Sequence, residues 1–371
     1  MSKSRQSLLH QFFLKLWYQQ GFQSRLLSYC FLPLASLYKL IASIIRTQDS
    51  RQARQLSVPV IVVGNITVGG TGKTPVVIAL AAALGAHNKC VGIISRGYGG
   101  SHDRNASVRP LLVSPQTPVN LSGDESLLIA KETQCPVVIG RNRREAAEYL
   151  LSMFPEIDVI LSDDGLQHYK LYRSLEIVVV DNKRGLGNQF CLPAGPLREP
   201  IERLAEVDWV LFNTQEGVFC DATKKMITSA LPTAKCQLAS VSLKPNTWLN
   251  IGSQLTYELN EPTWYQAHSQ TSQQKVTAIA AIGNPQRFFD TVASLNIKAN
   301  TLAFDDHHEF AADDFVADVD NLVLMTSKDA VKCASFANEY CWSLSVTLQL
   351  PKTLIDDVLR LINKPHKDSS I

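Results

Sequence analysis

Residues Val58 to Ala79 read VPVIVVGNITVGGTGKTPVVIA, and this stretch decides the fold. The run from Val60 to Val63 is apolar and β-branched, which predicts a buried strand. A loop rich in glycine and threonine follows, and Pro75 stands where a helix should begin. A strand, a glycine loop and a helix in this order predict an α/β fold with a mostly parallel sheet flanked by helices.

The glycine loop has the composition of a phosphate-binding loop. In such a loop the backbone N–H groups cradle phosphate oxygens, the lysine reaches the β and γ phosphates, and the next hydroxyl binds Mg²⁺. We therefore predict a P-loop NTPase-like core that binds ATP and Mg²⁺, with Lys73 as a catalytic residue. The predicted nucleotide-binding residues are Thr67, Val68, Gly69, Gly70, Thr71, Gly72, Lys73 and Thr74. The strict pattern has glycine where this chain has Thr67, so an ordinary glycine turn is the alternative.

The bulk composition fits a globular protein with a sizeable core. The length of 371 residues suggests two domains or one large domain with an appendage. Of these residues 45% are hydrophobic and 19% are charged, which is typical of a globular protein. A net charge of +2 gives no argument for a nucleic-acid partner, and no obligate protein partner is evident. The 8 cysteines show no metal-type spacing, which predicts reduced thiols in a cytosolic setting.

Residues 1–54 differ from the rest because they are basic, aromatic and apolar, with Asp49 as the only acid. Pro33 and Lys39 interrupt the apolar run at 26–45, which weakens a membrane-spanning interpretation. We predict that this segment forms a hydrophobic helix that lies in or on an anionic membrane surface. The alternative is a helix packed on the protein's own core.

Charged groups follow several of the predicted strands. Asp163 and Asp164 end an apolar strand, and an acid at a strand tip holds Mg²⁺ directly or through water. Asp124 stands near a helix start, where it could also be a simple capping residue. Arg96 follows another strand, at the sheet edge where α/β proteins bind ligands. Three arginines at the next helix start could clamp phosphates or be solvated, and these are Arg141, Arg143 and Arg144.

The strand predicted at 207–213 looks like the last strand of the core. The sequence after it, up to about residue 274, is polar. A Ser/Gln-rich segment at 266–274 predicts an exposed loop, and strands and helices resume after it. We therefore predict a kinase-type core over residues 55–213 and a smaller α/β domain over 214–363 that closes the active-site cleft. Residues 364–371 are predicted to be a disordered tail.

Nine segments together resemble one known family. They are GNITVGGTGKTP, SRGYGG, SGDES, GRNRREAA, SDDGLQH, LPAGPLREP, AAIGNPQRFF, FDDHHEF and TSKDAVK, in the order seen in the tetraacyldisaccharide 4′-kinases, the lipid A 4′-kinases. The resemblance runs from about Val58 to Lys332, and Thr67 also matches this family. The chain departs from the family at Ser327, where Glu is expected, and at Gly100, where Arg often stands.

The resemblance implies an ATP- and Mg²⁺-dependent kinase that phosphorylates the 4′-hydroxyl of tetraacyldisaccharide 1-phosphate to give lipid IVA. It implies a peripheral or N-terminally anchored protein at the cytoplasmic face of the inner membrane of a Gram-negative-type cell. Asp124 and His307 match the family's catalytic dyad. The metal ligands would be Thr74, Asp163, Asp164 and Glu199, and the substrate or phosphate contacts would be Arg96, Arg144, Gln167 and His168.

A membrane-associated ATPase switch is the rival hypothesis, because a glycine-rich phosphate loop and a distal pair of aspartates also suit that class. Such a protein would hydrolyse ATP to control assembly and would not modify a small molecule. The two hypotheses differ in whether water or an acylated disaccharide accepts the phosphate.

Overall fold

The computed structural model describes residues 3–4, 8–18, 21–104, 109–214, 225, 236–262, 275–318 and 320–364. Two predicted segments lie outside this part of the chain. They are the Ser/Gln-rich loop at 266–274 and, beyond Lys364, the disordered tail.

The described residues form one sheet of 14 strands. In chain order the strands are β1 (Lys3–Ser4), β2 (Val60–Gly64), β3 (Val91–Ser95), β4 (Leu111–Val113), β5 (Val137–Ile139), β6 (Val159–Asp163), β7 (Leu175–Asp181), β8 (Trp209–Thr214), β9 (Gln237–Asn250), β10 (Thr256–Glu258), β11 (Lys275–Ala280), β12 (Asn300–Ala303), β13 (Asn321–Thr326) and β14 (Cys341–Leu348). Their order across the sheet is β1-β12-β11-β13-β14-β9-β8-β7-β2-β6-β3-β5-β4, and β10 pairs with β9.

Helices cover both faces of this sheet. They are α1 (Leu8–Tyr18), α2 (Phe22–Cys30), α3 (Leu32–Arg51), α4 (Lys73–Ala86), α5 (Ser101–Arg104), α6 (Val119–Ser122), α7 (Asp124–Thr133), α8 (Arg143–Met153), α9 (Pro285–Ser294), α10 (Ser327–Cys333) and α11 (Lys352–Ile362). Two short 3₁₀ helices span Ile201–Glu206 and Ala312–Asp314. The prediction of a mostly parallel α/β sheet flanked by helices is confirmed.

The first half of the sheet comprises strands β2 to β8, and the second half comprises β10 to β14 together with β1. The core of the first half lies on both sides of β2. Val60, Ile61, Val62 and Val63 are fully buried, as expected for a central parallel strand covered on both faces. Burying one such side chain stabilises the fold by about 1.5–3 kcal/mol. The last helix, α11, packs its Leu354 against this same core. The end of the chain therefore returns to the first half.

Strand β9 joins the two halves of the sheet. Its residues 237–242 pair in parallel with β8, and its residues 243–250 pair antiparallel with β14. The strand predicted at 207–213 is therefore not the last of its sheet, because β9 continues the hydrogen-bonded ladder beyond it. Residues of both halves meet in the site, where His307 lies beside Asp124.

The N-terminal segment folds as three helices, α1 to α3, whereas the sequence predicted one. Exposed apolar side chains line one face of α3, and they are Leu34, Leu37, Leu40, Ile41, Ile44 and Ile45. The opposite face packs on the core, where Ala35 is buried and Tyr38 contacts the cluster around Phe212. Among the described helices, none combines the length and the apolar character that a membrane span requires.

Candidate active site

The glycine loop wraps around the first turn of α4. Gly72 precedes this helix with a φ of 91°, a conformation that favours glycine. Two asparagines hold the loop from either side. Asn65 Nδ2 donates to the carbonyl of Thr67 at 2.7 Å, and Asn213 Nδ2 donates to the carbonyl of Thr71 at 2.9 Å. The helix start therefore offers its free N–H groups in a preformed loop, the arrangement that binds phosphate.

Lys73 and Thr74 occupy the first two positions of α4. Lys73 Nζ lies 3.5 Å from Asp164 Oδ1, and Arg198 Nη1 lies 3.3 Å from Asp164 Oδ2. Burial alone would raise the pKa of Asp164, but these two cations outweigh it and hold that pKa well below its ordinary value. The carboxylate of Asp164 is therefore ionised and shared between two cations beside the phosphate loop.

Asp163 ends β6 and is fully enclosed. Burial and the nearby charges of Glu125 and Asp164 raise the pKa of its carboxyl group. Ser95 Oγ lies 3.5 Å from Oδ2, while Oδ1 has no hydrogen-bond partner among the described residues. A buried oxygen of this kind is what a cation would satisfy.

Glu199 has partners of its own. Gln167 Nε2 donates to its Oε1 at 2.7 Å, the Tyr169 hydroxyl donates to its Oε2, and Arg203 Nε lies 3.6 Å away. The same Gln167 nitrogen contacts the carbonyl of Asn65 at 3.1 Å, just before the glycine loop. Within the described ranges, no three His, Cys, Asp or Glu side chains are grouped in a way that could hold a metal ion by themselves.

Asp124 and His307 lie side by side. His307 Nδ1 is 3.1 Å from Asp124 Oδ2 and 3.2 Å from Oδ1. Burial raises the pKa of Asp124, but the hydrogen bond from His307 and the charges of Lys328 and Lys332 outweigh this and lower it to about 2. Burial lowers the pKa of His307, but the bond to Asp124 outweighs this and raises it.

The dyad borders an open cavity, and the turn after β11 brings the second half of the chain against the phosphate loop. Gly283, in the turn after β11, packs so closely on Gly70 that a Cβ on Gly283 would overlap the backbone of Gly70. The cavity of about 510 Å³ is lined by Asp124 and His307 and by residues of both halves, among them Tyr98, Arg104, Phe310 and Lys332. A Cβ on Gly283 would also lie 3.4 Å from Asp306 Oδ2, so the segment that carries His307 lies near the phosphate loop. A substrate hydroxyl in this cavity would meet the dyad.

Comparison with known proteins identifies the family. The chain matches the family model described as Tetraacyldisaccharide-1-P 4′-kinase over residues 27–363. The chain belongs to this family. It is 40% identical over 341 residues to the tetraacyldisaccharide 4′-kinase of Legionella pneumophila strain Corby, a match that covers 91% of this chain and 93% of that relative. It is 41% identical over 339 residues to the enzyme of the same name from Actinobacillus succinogenes, covering 90% of this chain and 93% of that relative.

A solved structure is similar over most of the chain. It is described as the "apo" form of LpxK from Aquifex aeolicus in complex with ATP, and the two share 26% sequence identity with a TM-score of 0.68. The match covers 91% of this chain and 99% of that one. The family predicted from the nine segments is confirmed, and with it the prediction of a tetraacyldisaccharide 4′-kinase.

The predicted substrate contacts of the family lie in different settings. Arg96 Nε donates to Asp103 Oδ1 at 2.9 Å at the rim of the cavity. Arg144 Nε donates to Glu148 at 2.8 Å on the surface of α8. His168 is half-buried, and its desolvation together with the charge of Arg143 lowers its pKa to about 3, so its imidazole is neutral.

Two charged residues of the site have surroundings that the sequence did not predict, although Arg143 was among the arginines considered as phosphate contacts. Arg143 is buried with only 2% of its surface exposed, it donates to the carbonyl of Gly140 at 2.6 Å, and it interacts with the charge of Asp163. Lys328 lies 2.9 Å from Glu125 and 3.8 Å from Asp124. Lys328 lies in the TSKDAVK segment that contributes to the family resemblance, but the sequence gives no signal that this lysine faces α7.

Proposed function

We propose that this kinase transfers the γ-phosphoryl group of ATP to the 4′-hydroxyl of tetraacyldisaccharide 1-phosphate. The observation that carries the proposal is the Asp124–His307 pair, which borders an open cavity and lies near the contact between Gly283 and Gly70 of the phosphate loop. A hydrolase would need only the phosphate loop and a water. The cavity of about 510 Å³ that the dyad borders favours an organic acceptor.

In the proposed reaction Asp124 receives the proton of the sugar hydroxyl. Its low pKa keeps the carboxylate ionised at neutral pH, and the hydroxyl becomes more acidic as its oxygen bonds to the γ-phosphorus. The bond between the γ-phosphorus and the bridging oxygen breaks at the same time, and ADP leaves. His307 orients the carboxylate through Nδ1, and Lys73 stabilises the negative charge on the transferred group.

A bound Mg²⁺ would neutralise charge on the β and γ phosphates of ATP. We propose that Asp163 and the hydroxyl of Thr74 hold it, because the free Oδ1 of Asp163 needs a partner and Mg²⁺ commonly takes one or two carboxylates together with phosphate oxygens and waters. Asp164 would position Lys73 beside the metal ion through their ion pair. A metal role for Glu199 stays a prediction.

The dyad draws on both halves of the chain, since Asp124 begins α7 and His307 lies between β12 and β13. We propose that residues 55–213 and 214–363 act as two domains and that their approach assembles the dyad. The contact between Gly70 and Gly283 supports this proposal, because it lies where the two halves meet at the phosphate loop.

We further propose that α1 to α3 rest on the cytoplasmic face of the inner membrane. The exposed leucines and isoleucines of α3 supply an apolar face, and the exposed Arg25 and Lys39 supply positive charge toward anionic lipids. The acceptor is itself an amphiphile, so an enzyme at the bilayer surface meets it without extracting it.

The direct test uses ATP labelled in its γ-phosphoryl group. Purified protein is incubated with the acylated disaccharide 1-phosphate or with buffer alone, and the labelled product is separated. We expect the label on the disaccharide, and Lys73→Ala to slow this transfer on the order of 100-fold. Release of labelled inorganic phosphate at the same rate with and without the acceptor would favour the ATPase switch instead.

A further inference from the structure

The loop at 182–200 lies between the N-terminal helices and the nucleotide site. On one side it is held by α1. Trp17 Nε1 donates to the carbonyl of Pro193 at 3.0 Å, and the backbone N–H of Asn188 donates to the carbonyl of Trp17 at 2.9 Å. The same loop is held by α2, because Asn188 Nδ2 donates to the buried Ser28 Oγ at 3.0 Å.

Helix α3 contacts the end of this loop that leads into the site. The Tyr38 hydroxyl donates to the carbonyl of Arg198 at 2.9 Å. The side chain of that same Arg198 pairs with Asp164 at 3.3 Å. Tyr38 is thus separated from the ion pair beside Lys73 by a single residue.

The other side of the loop pairs with the phosphate loop itself. Val68 N–H donates to the carbonyl of Pro196 at 2.9 Å, and Arg198 N–H donates to the carbonyl of Ile66 at 2.7 Å. These two bonds fix the backbone that enters the glycine turn. The 182–200 loop therefore carries contacts from all three N-terminal helices on one side and from the nucleotide-binding backbone on the other.

A second route reaches the glycine turn through Arg184. Its guanidinium lies over the ring of Tyr18 in α1, 5.9 Å from the ring centroid. Its Nη1 is also 3.7 Å from the point where a Cβ on Gly69 would stand. The N-terminal helices are thus linked to the phosphate loop by two separate routes, and both pass through the 182–200 loop.

We propose that α1 to α3 position the nucleotide site through the 182–200 loop, with Tyr38 as the positioning residue that holds Arg198. ATP affinity then depends on contacts made by the helices that we assign to the membrane surface. The proposal deepens the proposed function and rests on it. The same helices would then both bind the membrane surface and order the ATP site.

The faces of α3 separate this role from plain anchoring. Leu37 and Leu40 are more than half exposed and point outward, whereas Tyr38 points toward the loop. An anchor would act through the outward face and would alter binding to lipid. A positioning role acts through Tyr38 and alters binding of ATP.

The test measures ATP affinity directly in full-length protein in detergent, with Mg²⁺ present and with no acceptor. The variants are Tyr38→Phe and Trp17→Phe, which each remove one donor and keep an aromatic ring. Because one hydrogen bond is involved, we expect Kd for ATP to rise about threefold to tenfold in each. The control is Tyr257→Phe, since Tyr257 packs its ring on Trp342 in the other half and its Kd should match wild type.

A double-mutant cycle with Arg198→Ala tests the route. If Tyr38 acts through Arg198, the Kd of the double variant should rise by less than the product of the two single changes. A full product would overturn the proposal, as would an unchanged Kd in Tyr38→Phe. Thermal unfolding of each variant identifies loss of fold, which lowers the bound fraction but leaves the Kd of the folded protein unchanged. The readout needs no phosphoryl transfer, so failure of the proposed reaction would be seen separately.

Discussion

His307 Nδ1 lies 3.1 Å from Asp124 Oδ2, although the two residues are 183 positions apart in the sequence. Asp124 is 5% exposed and has Lys328 and Lys332 within 4 Å of the same oxygen, at 3.8 and 3.9 Å. The carboxylate is thus held ionised by three partners from the second half of the chain. This arrangement makes the pair the part of the site most open to a kinetic test.

Replacing the dyad should show that its two residues act as one unit. Asp124→Asn keeps the shape of the side chain but removes the base, so we expect a strong loss of turnover with little change in ATP affinity. His307→Ala should cost less, because the imidazole orients the carboxylate and does not receive the proton first. The double variant should be little slower than Asp124→Asn alone. Turnover at saturating substrates decides this, and losses that multiply in the double variant would contradict a dyad.

His307 also gives stability a pH dependence. Its pKa is raised above the ordinary value of 6.5, so the folded protein binds the proton more tightly than the unfolded chain does. The stability gained is complete below the unfolded pKa and is lost as the pH rises through the folded pKa. We therefore expect His307→Gln to reduce the free energy of unfolding more at about pH 5.5 than at about pH 8.5. Denaturant titrations at the two pH values measure this difference.

The control for this effect is Asp124→Asn, because the Asp124 carboxylate is what raises the pKa of His307. In that background burial and the charge of Lys328 lower the pKa of His307, so replacing His307 should no longer cost more stability at about pH 5.5 than at about pH 8.5. A larger cost at about pH 5.5 that survives the loss of Asp124 would show that another group raises the pKa of His307 or titrates in its place.

Local patterns predicted the phosphate loop well. The β-branched run, the glycines and Pro75 act within one strand–loop–helix unit, so neighbouring residues alone settle the backbone. The structure places these elements at Val60–Gly64 and Lys73–Ala86. Asp163 and Asp164 were predictable for the same reason, since each stands at the end of an apolar strand.

Contacts between distant segments could not be read from the sequence. Arg143 and Arg144 are adjacent and chemically equal, yet one is buried beside Asp163 and the other pairs with Glu148 at the surface. Successive residues of α8 point in different directions around the helix axis, so only one of the two arginines faces the core. No local signal in the sequence shows which one. Lys328 was missed for a similar reason, because its partners Glu125 and Asp306 come from two other elements.

Gly72 should not tolerate any side chain. Its φ is 91°, and a Cβ would overlap Asn213 Nδ2, the group that holds the glycine loop. We expect Gly72→Ala to weaken ATP binding by more than about tenfold, because the loop must shift to admit the methyl group. The matched control is Gly85→Ala in the same helix, where a Cβ meets nothing within 4 Å. That change should keep ATP binding and raise stability by about 0.5–1 kcal/mol. Calorimetric titration and thermal unfolding test both, and normal ATP affinity in Gly72→Ala would contradict the loop geometry.

We predict that the exposed apolar face of α3 binds the membrane surface. Point variants test this better than deletion of the N-terminus. Deletion would also remove Trp17 and Tyr38 and so disturb the 182–200 loop, which confuses loss of membrane binding with loss of the ATP site. Leu37→Asp and Ile41→Asp place a charge on the exposed face and leave the inward contacts in place.

We expect each of these two variants to bind anionic vesicles at least about tenfold more weakly than wild type, because burying one such side chain in lipid is worth about 1.5–3 kcal/mol. Val316→Asp is the control, since Val316 is 66% exposed in the other half of the chain and should not contact lipid. Higher salt should weaken binding of wild type only in part, because screening removes the attraction of Arg25 and Lys39 but not the apolar contact. Sedimentation with vesicles measures the bound fraction. If both α3 variants bind vesicles as wild type does, another part of the chain binds the membrane. The role of α3 is then limited to its contacts with the 182–200 loop.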